Sequence, residues 1–181
     1  MKQHFIDNGF VLDKHTLIEG AVGIRKGTAF WPQEVDSQED WGLRPIFRED
    51  VETRGSEDGS TTIADYRGNK FSNIMEVNII PIADLLRLQS CWDFIHIDIQ
   101  GDEVNVCRAA IDDLSERVKY MVIATHSRKN DGDIFELFCK AGWILELEKP
   151  TRFKFFSNHS SLESMTTHDG TQVWRNPNLF D

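Results

Sequence analysis

Residues able to do acid–base chemistry gather at two points of this chain. The first is residues 92–103, Trp-Asp-Phe-Ile-His-Ile-Asp-Ile-Gln-Gly-Asp-Glu, in which Asp98 and Gln100 close an apolar run. The second is His126-Ser127-Arg128, which closes the apolar run 119–125. A histidine titrates near neutral pH and takes a proton from a hydroxyl, while a carboxylate beside it orients the imidazole or binds an amine or a cation. His96, Asp98 and His126 are also of metal-ligand type, but their scattered spacing is a weak signal for a metal-dependent hydrolase. Plainer readings stand beside these: Asp98 as the cap of the helix after Gly101, and His96 as a core histidine.

For these groups to meet, each must stand at the carboxyl end of a strand. Residues 94–99 are β-branched or aromatic and stop at Gly101, after which Val104, Cys107, Ala110, Ile111 and Leu114 recur at helical spacing. The pattern predicts a strand running into one helix. Residues 119–125 are almost wholly apolar, as a strand buried on both faces should be. Ile134, Leu137, Phe138 and Ala141 then mark a helix opened by Asp131 or Asp133 and closed by Gly142.

Upstream, residues 2–8 read as a helix with Gly9 as its left-handed cap, followed by strands at 15–22 and 27–32. Gly20 and Ala21 leave room at a strand end for a flat ring, or for tight packing against a helix. Residues 77–80 form a strand leading through Pro81 into a short helix to Leu88. Strands at 143–148, 152–156 and 170–174 complete the set. This order predicts an α/β sheet, parallel in its middle and antiparallel at one edge, with right-handed crossovers. Neighbouring strands ending at Asp98 and Thr125 would bring Asp98, Gln100, His126 and Arg128 to one rim, where open α/β sheets bind ligands.

The 181 residues, 40% of them hydrophobic, suit a single domain over 1–181. Between about 33 and 72 the chain is acidic and aperiodic, which predicts a mobile insert, with a hairpin over 61–69 and Trp41, Phe47 and Tyr66 as anchors. The net charge of -10 excludes a general affinity for nucleic acid or anionic membranes. Cys91, Cys107 and Cys139 lack Cys-x-x-Cys spacing and read as buried thiols in a reducing compartment, the cytoplasm. No stretch has the apolar length of a signal peptide core or a membrane span.

Several stretches together carry a family resemblance. They are Leu17-Ile18-Glu19-Gly20-Ala21-Val22-Gly23 with Gly27-Thr28-Ala29-Phe30, residues 93–103, Thr125-His126-Ser127-Arg128, Gly142-Trp143 with Glu146 and Pro150, and residues 169–177, Asp-Gly-Thr-Gln-Val-Trp-Arg-Asn-Pro. With these, the chain resembles FkbM-type methyltransferases, which implies a Rossmann-like class I sheet and S-adenosylmethionine as cofactor. The resemblance implies an O-methyltransferase acting on a hydroxyl of a sugar or other polar metabolite, with Asp98 and His126 catalytic and Gly20, Ala21, Asp98 and Gln100 holding the cofactor. No metal is implied. The family's opening strand, glycine-rich turn and second strand with an acidic end have no counterpart here. The expectation is therefore a chain lacking the first two strands, which binds the cofactor weakly by itself and is completed by another chain or by a homo-oligomer. A non-catalytic, partner-binding relative is the alternative.

Overall fold

The computed structural model describes residues 2–33, 44–47, 63–64, 70–157 and 161–180. The first sheet is built from β1 (Ala21–Gly23), β2 (Gly27–Pro32), β3 (Ile46–Phe47) and β6 (Ile74–Pro81), with a separate two-stranded ladder of β4 (Ile63–Ala64) and β5 (Lys70–Phe71). The second sheet contains β7 (Trp92–Ile97), β8 (Val118–Thr125), β9 (Ile144–Lys149) and β12 (Gly170–Arg175), and β10 (Arg152–Phe153) pairs with β11 (Thr166–His168) beside it. The α-helices among the described residues are α1 (Lys2–Asp7), α2 (Ile82–Leu86), α3 (Glu103–Ala109), α4 (Ile111–Arg117) and α5 (Arg128–Lys140).

The mixed α/β class is as expected, but the strands form two four-stranded sheets rather than one. The orders are β1-β6-β2-β3 and β7-β8-β12-β9, and each sheet holds one parallel pair, β1 with β6 and β7 with β8. The antiparallel strand is not at an edge of the second sheet. β12 lies between β8 and β9, antiparallel to both. Periodicity identifies strands but carries no information on which strand lies beside which, so pairing had to come from the structure.

Local chemistry explains most of the element ends. Gly9 and Gly142 sit at φ 75° and 81°, the left-handed caps expected after α1 and α5. α5 opens at Ser127 rather than at Asp131 or Asp133, because the Ser127 hydroxyl accepts the Asn130 N–H at 3.1 Å. The predicted strand over 15–22 shrinks to Ala21–Gly23, which is where a partner, β6, is available. The single helix after Gly101 is two, with Ala110 at φ -124° breaking the ladder between α3 and α4. β4 pairs antiparallel with β5 near the hairpin expected over 61–69, but the second strand is Lys70–Phe71, beyond that range. Most of the acidic stretch, with Trp41 and Tyr66, lies outside the described residues. β11 has no strand signature in the sequence and was not anticipated.

The main core lies between one face of the second sheet and the helices. Asn130, Ile134 and Phe138 share one buried face of α5, at spacings of four. Phe138 stacks on Trp174 with ring centroids 5.3 Å apart and meets Trp143 edge-on at 5.2 Å. Burying side chains of this size contributes about 1.5–3 kcal/mol each. A smaller core joins Ile46 of the first sheet to Ile63 and Phe71 of the β4–β5 ladder, with Phe30 and Ile74 packed against it. Of the cysteines only Cys107 is buried, where lack of solvation pushes its thiol far up, followed by the charge of Glu103. Cys91 and Cys139 are exposed, against expectation, and all three are free thiols. Among the described residues no helix is long and apolar enough to cross a membrane.

Candidate functional site

β7 stops at Ile97, and the chain then turns sharply through Gln100 at φ 60° and Gly101 at φ 108° before α3 begins. A non-glycine residue in the left-handed region costs about 1–2 kcal/mol, so something must hold this turn. Glu103 does so. Its Oε1 accepts the backbone N–H of Ile99 at 3.0 Å and of Gly101 at 3.1 Å, and its Oε2 accepts the Asn130 amide at 3.1 Å. Asn130 also donates to the Gly101 carbonyl at 3.3 Å, so the first turn of α5 grips the loop after β7. The Glu103 side chain is wholly buried.

β7 and β8 run side by side in parallel, so His126 emerges next to this loop. Its Nδ1 lies 3.1 Å from Glu103 Oε1, and its Nε2 lies 3.3 Å from Asp98 Oδ1. The Nδ1–H is angled off the carboxylate, so the Glu103 contact is an ion pair rather than a straight hydrogen bond. Burial works against a charge on His126, but Glu103, then Asp169 and Asp98, outweigh it and raise the imidazole above its ordinary value. Burial likewise works against the Glu103 carboxylate, and contact with His126, together with backbone N–H donors such as Gly101, holds it below its ordinary value. The imidazole thus sits between two acids, one buried and structural, the other half-exposed.

Asp98 also accepts the Gln100 side-chain amide at 3.0 Å. It does not cap α3, whose first residue follows Asp102. Beyond Asp98 a cavity of about 420 Å³ opens, within the range of small-molecule sites. Gly20 and Ala21 line it together with Asp98 and Gln100. Trp31 and Phe47 supply flat apolar wall, with Arg44 and Asn105 as polar groups. The four residues expected to hold a cofactor therefore face one space. Gly20 has a packing reason as well: a Cβ there would meet Ile80 Cδ1 at 2.8 Å and the Asn78 carbonyl at 2.9 Å.

His96 is exposed and stands apart from the acid–base group. The residue that sequence reasoning missed is Glu103. Its signal was a carboxylate two residues after a glycine at a strand-to-helix turn, where loose backbone N–H groups need an acceptor. Asp98, Glu103 and His126 offer ligand atoms within 4.8 Å of one another. The two carboxylates nevertheless address opposite ring nitrogens, so a cation on Nε2 beside Asp98 would have Glu103 behind the ring. That geometry suits proton handling better than a metal-dependent hydrolase.

A mostly apolar cavity with a few polar groups, next to the loop at the carboxyl end of β7 and with the acid-flanked histidine in contact with its Asp98, is the arrangement that small-molecule sites of α/β proteins share. The family model of the methyltransferase FkbM domain matches residues 13–145, and the chain belongs to that family. A protein of Jannaschia sp. (strain CCS1) named "Putative methyltransferase" is 28% identical over 174 residues. The match covers 95% of this chain and 56% of that relative, so the chain spans little more than half of the relative's length. No solved structure matches the chain.

Proposed function

We propose that this chain carries the acceptor side of an S-adenosylmethionine-dependent O-methyltransferase with a Rossmann-like sheet, acting on a hydroxyl of a sugar or similar polar metabolite. The observation that carries the reading is the contact of His126 Nε2 with Asp98, which itself lines the cavity shared by Gly20, Ala21 and Gln100. These residues fit the cofactor. The apolar walls of Trp31 and Phe47 suit an adenine ring, and Asp98 and Gln100 suit an amine or hydroxyl. When bound, the cofactor supplies an electrophilic methyl group.

The remaining chemistry belongs to the chain. An acceptor hydroxyl entering beside Asp98 donates to Nε2, and His126 removes its proton at that atom as the oxygen attacks. Glu103 stabilises the imidazolium that results, from the opposite ring nitrogen. Gln100 and the turn held by Glu103 keep Asp98 in place. With the raised imidazole, His126 acts as a base only above its ordinary titration range, so turnover rises with pH through that higher value.

Saturation-transfer NMR with millimolar S-adenosylmethionine tests the cavity, since it detects weak binding. We expect contacts to the adenine protons that are lost in Asp98→Asn. Transfer of a labelled methyl group to saccharide hydroxyls should fall about 10²–10⁴-fold in His126→Ala with binding retained. No contact, or contact indifferent to Asp98→Asn, would refute the reading. Binding without transfer by the wild-type chain to any hydroxyl acceptor would make it a non-catalytic, partner-binding relative.

A further inference from the structure

We propose that Arg128 and the β10–β11 ladder form a strip that binds an acidic oligosaccharide and leads it to His126. The inference rests on the reading of the chain as an O-methyltransferase and names the class of its acceptor.

The ladder is rooted beside the histidine. Gly170 pairs with Thr125, the residue before His126, and a Cβ on Gly170 would come within 2.7 Å of the Thr151 N. Thr151 donates its N–H and its hydroxyl to Asp131 Oδ2, while Thr125 donates to Oδ1 of the same carboxylate. One buried acid therefore ties the start of β10 to the end of β8. The next residue, Arg152, pairs with His168 of β11. Asp169, between His168 and Gly170, is close enough for its charge to act on the imidazole. His126 thus touches Asp98 of the cavity and lies next to the root of the ladder.

The strip joins bare rings to cations. Phe153 is 42% exposed and Phe155 73%, and Arg128, Arg152 and Lys154 are exposed with them. The Arg128 guanidinium lies over the Phe153 ring, 5.2 Å from its centroid, and the Lys154 ammonium over Phe156 at 5.4 Å. Arg128 is the first residue of a 13-residue helix, where a cation opposes the helix dipole, so stability alone does not account for it. Lys129 and Lys140 of the same helix are paired with Asp133 and Glu136. Among the described residues, Arg128, Arg152 and Lys154 have no carboxylate partner. In a chain of net charge -10 this is a local store of positive charge.

The chemistry of the strip selects its ligand. The C–H bonds of a pyranose ring suit the negative face of an aromatic ring, and guanidinium and ammonium groups suit carboxylates or sulfates. Two bare rings and three cations in a row match one narrow chain. A bilayer surface would instead bring the rest of this acidic protein against anionic headgroups. With one sugar hydroxyl donating to His126 Nε2, the neighbouring acidic sugars lie along Phe153 and Phe155.

The test is saturation-transfer NMR on the full chain, without cofactor, using oligogalacturonate, sulfated dextran oligomers and neutral dextran oligomers. Contacts to an acidic oligomer are expected, stronger than to the neutral one, and the tighter of the two acidic probes identifies the anion. Arg152→Gln/Lys154→Gln should weaken that binding about 2–30-fold, the loss of two exposed ion pairs. Phe155→Ala should remove most contacts to the sugar ring protons. Lys140→Gln, at the other end of α5 and about 18 Å from Arg128 by helix rise, should change nothing. These positions are exposed, so each variant should keep the wild-type circular dichroism spectrum. No contact with either acidic oligomer, equal contact with the neutral one, or contact indifferent to the ladder variants would overturn the proposal. So would tighter binding of phosphatidylglycerol vesicles that the same variants abolish, which would give the strip to lipid. Neither cofactor nor methyl transfer enters these measurements, so oligosaccharide binding in a chain that shows no adenine contacts would sink the methyltransferase reading and leave the strip standing.

Discussion

Replacing Glu103 by glutamine tests the central structural claim, that one buried carboxylate holds both the turn after β7 and the histidine. An amide has a single oxygen. Placed on the side of Ile99 and Gly101, it leaves the Asn130 amide facing an NH₂ group; placed the other way, it leaves two backbone donors without an acceptor. Hydrogen bonds to a charged group contribute about 1.5–3 kcal/mol each, and breaking a buried ion pair costs about 3–5 kcal/mol. A loss of about 3–5 kcal/mol is therefore expected, with a fall in Tm of about 6–20 °C for a chain of this size. The second consequence is electrostatic. Glu103 is the foremost group raising His126, so in Glu103→Gln the imidazole should titrate lower than in the wild type, as read by NMR. Thermal unfolding followed by circular dichroism gives the first number. A Tm within about 2 °C of wild type, the equivalent of under 1 kcal/mol, with His126 titrating unchanged, would refute the assignment. Asp98→Asn serves as a control: Asp98 is half-exposed, so its loss should shift Tm little.

Gly132 lies inside α5 with open space where a Cβ would go, so Gly132→Ala should stabilise the chain by about 0.5–1 kcal/mol in urea unfolding. Gly170 is the opposite case: a Cβ there would meet Thr125 Oγ1 at 2.4 Å and the Thr151 N at 2.7 Å, so Gly170→Ala should lose roughly 1–3 kcal/mol in the same assay. His126 titrates higher folded than unfolded, so its contribution to stability is full below about pH 6.5 and is lost as the pH rises through the folded value. Glu103 has the reverse sense, contributing above about pH 4.5 and losing it as the pH falls through its lowered folded value. Urea midpoints should therefore decline as the pH rises from about 6.5 through the raised folded value of His126 in the wild type, and decline less in His126→Asn.

Much of the site was legible because it depends on strand ends. The run from Trp92 ending at Gly101, and the run ending at Thr125, fixed Asp98 and His126 at comparable places, and parallel pairing of β7 with β8 brings them to 3.3 Å. The caps at Gly9 and Gly142 were legible for a similar reason, since few residues other than glycine tolerate positive φ. Glu103 was not, because its role depends on backbone N–H groups aimed by a turn whose dihedral angles no periodicity records. The division into two sheets and the interior position of β12 were hidden for a related reason: pairing is decided by contacts between residues far apart in the chain. The start of α5 was misread because Asp131, though a good cap by type, is buried and accepts from Thr125 and Thr151 instead.

The place of β12 has a consequence for how the protein is made. β8 and β9 are not neighbours; each bonds to β12, which is synthesised after both. Until residues 170–175 leave the ribosome, the second sheet is a two-stranded fragment and a lone strand, and Phe138 has no Trp174 to stack on. At ~5–20 residues per second that interval lasts a few seconds. During it the inner edge of β8, one of the most apolar strands in the chain, is open to any other unpaired strand nearby, so slow or stalled synthesis near Gly170 exposes this protein to aggregation more than a pause elsewhere would.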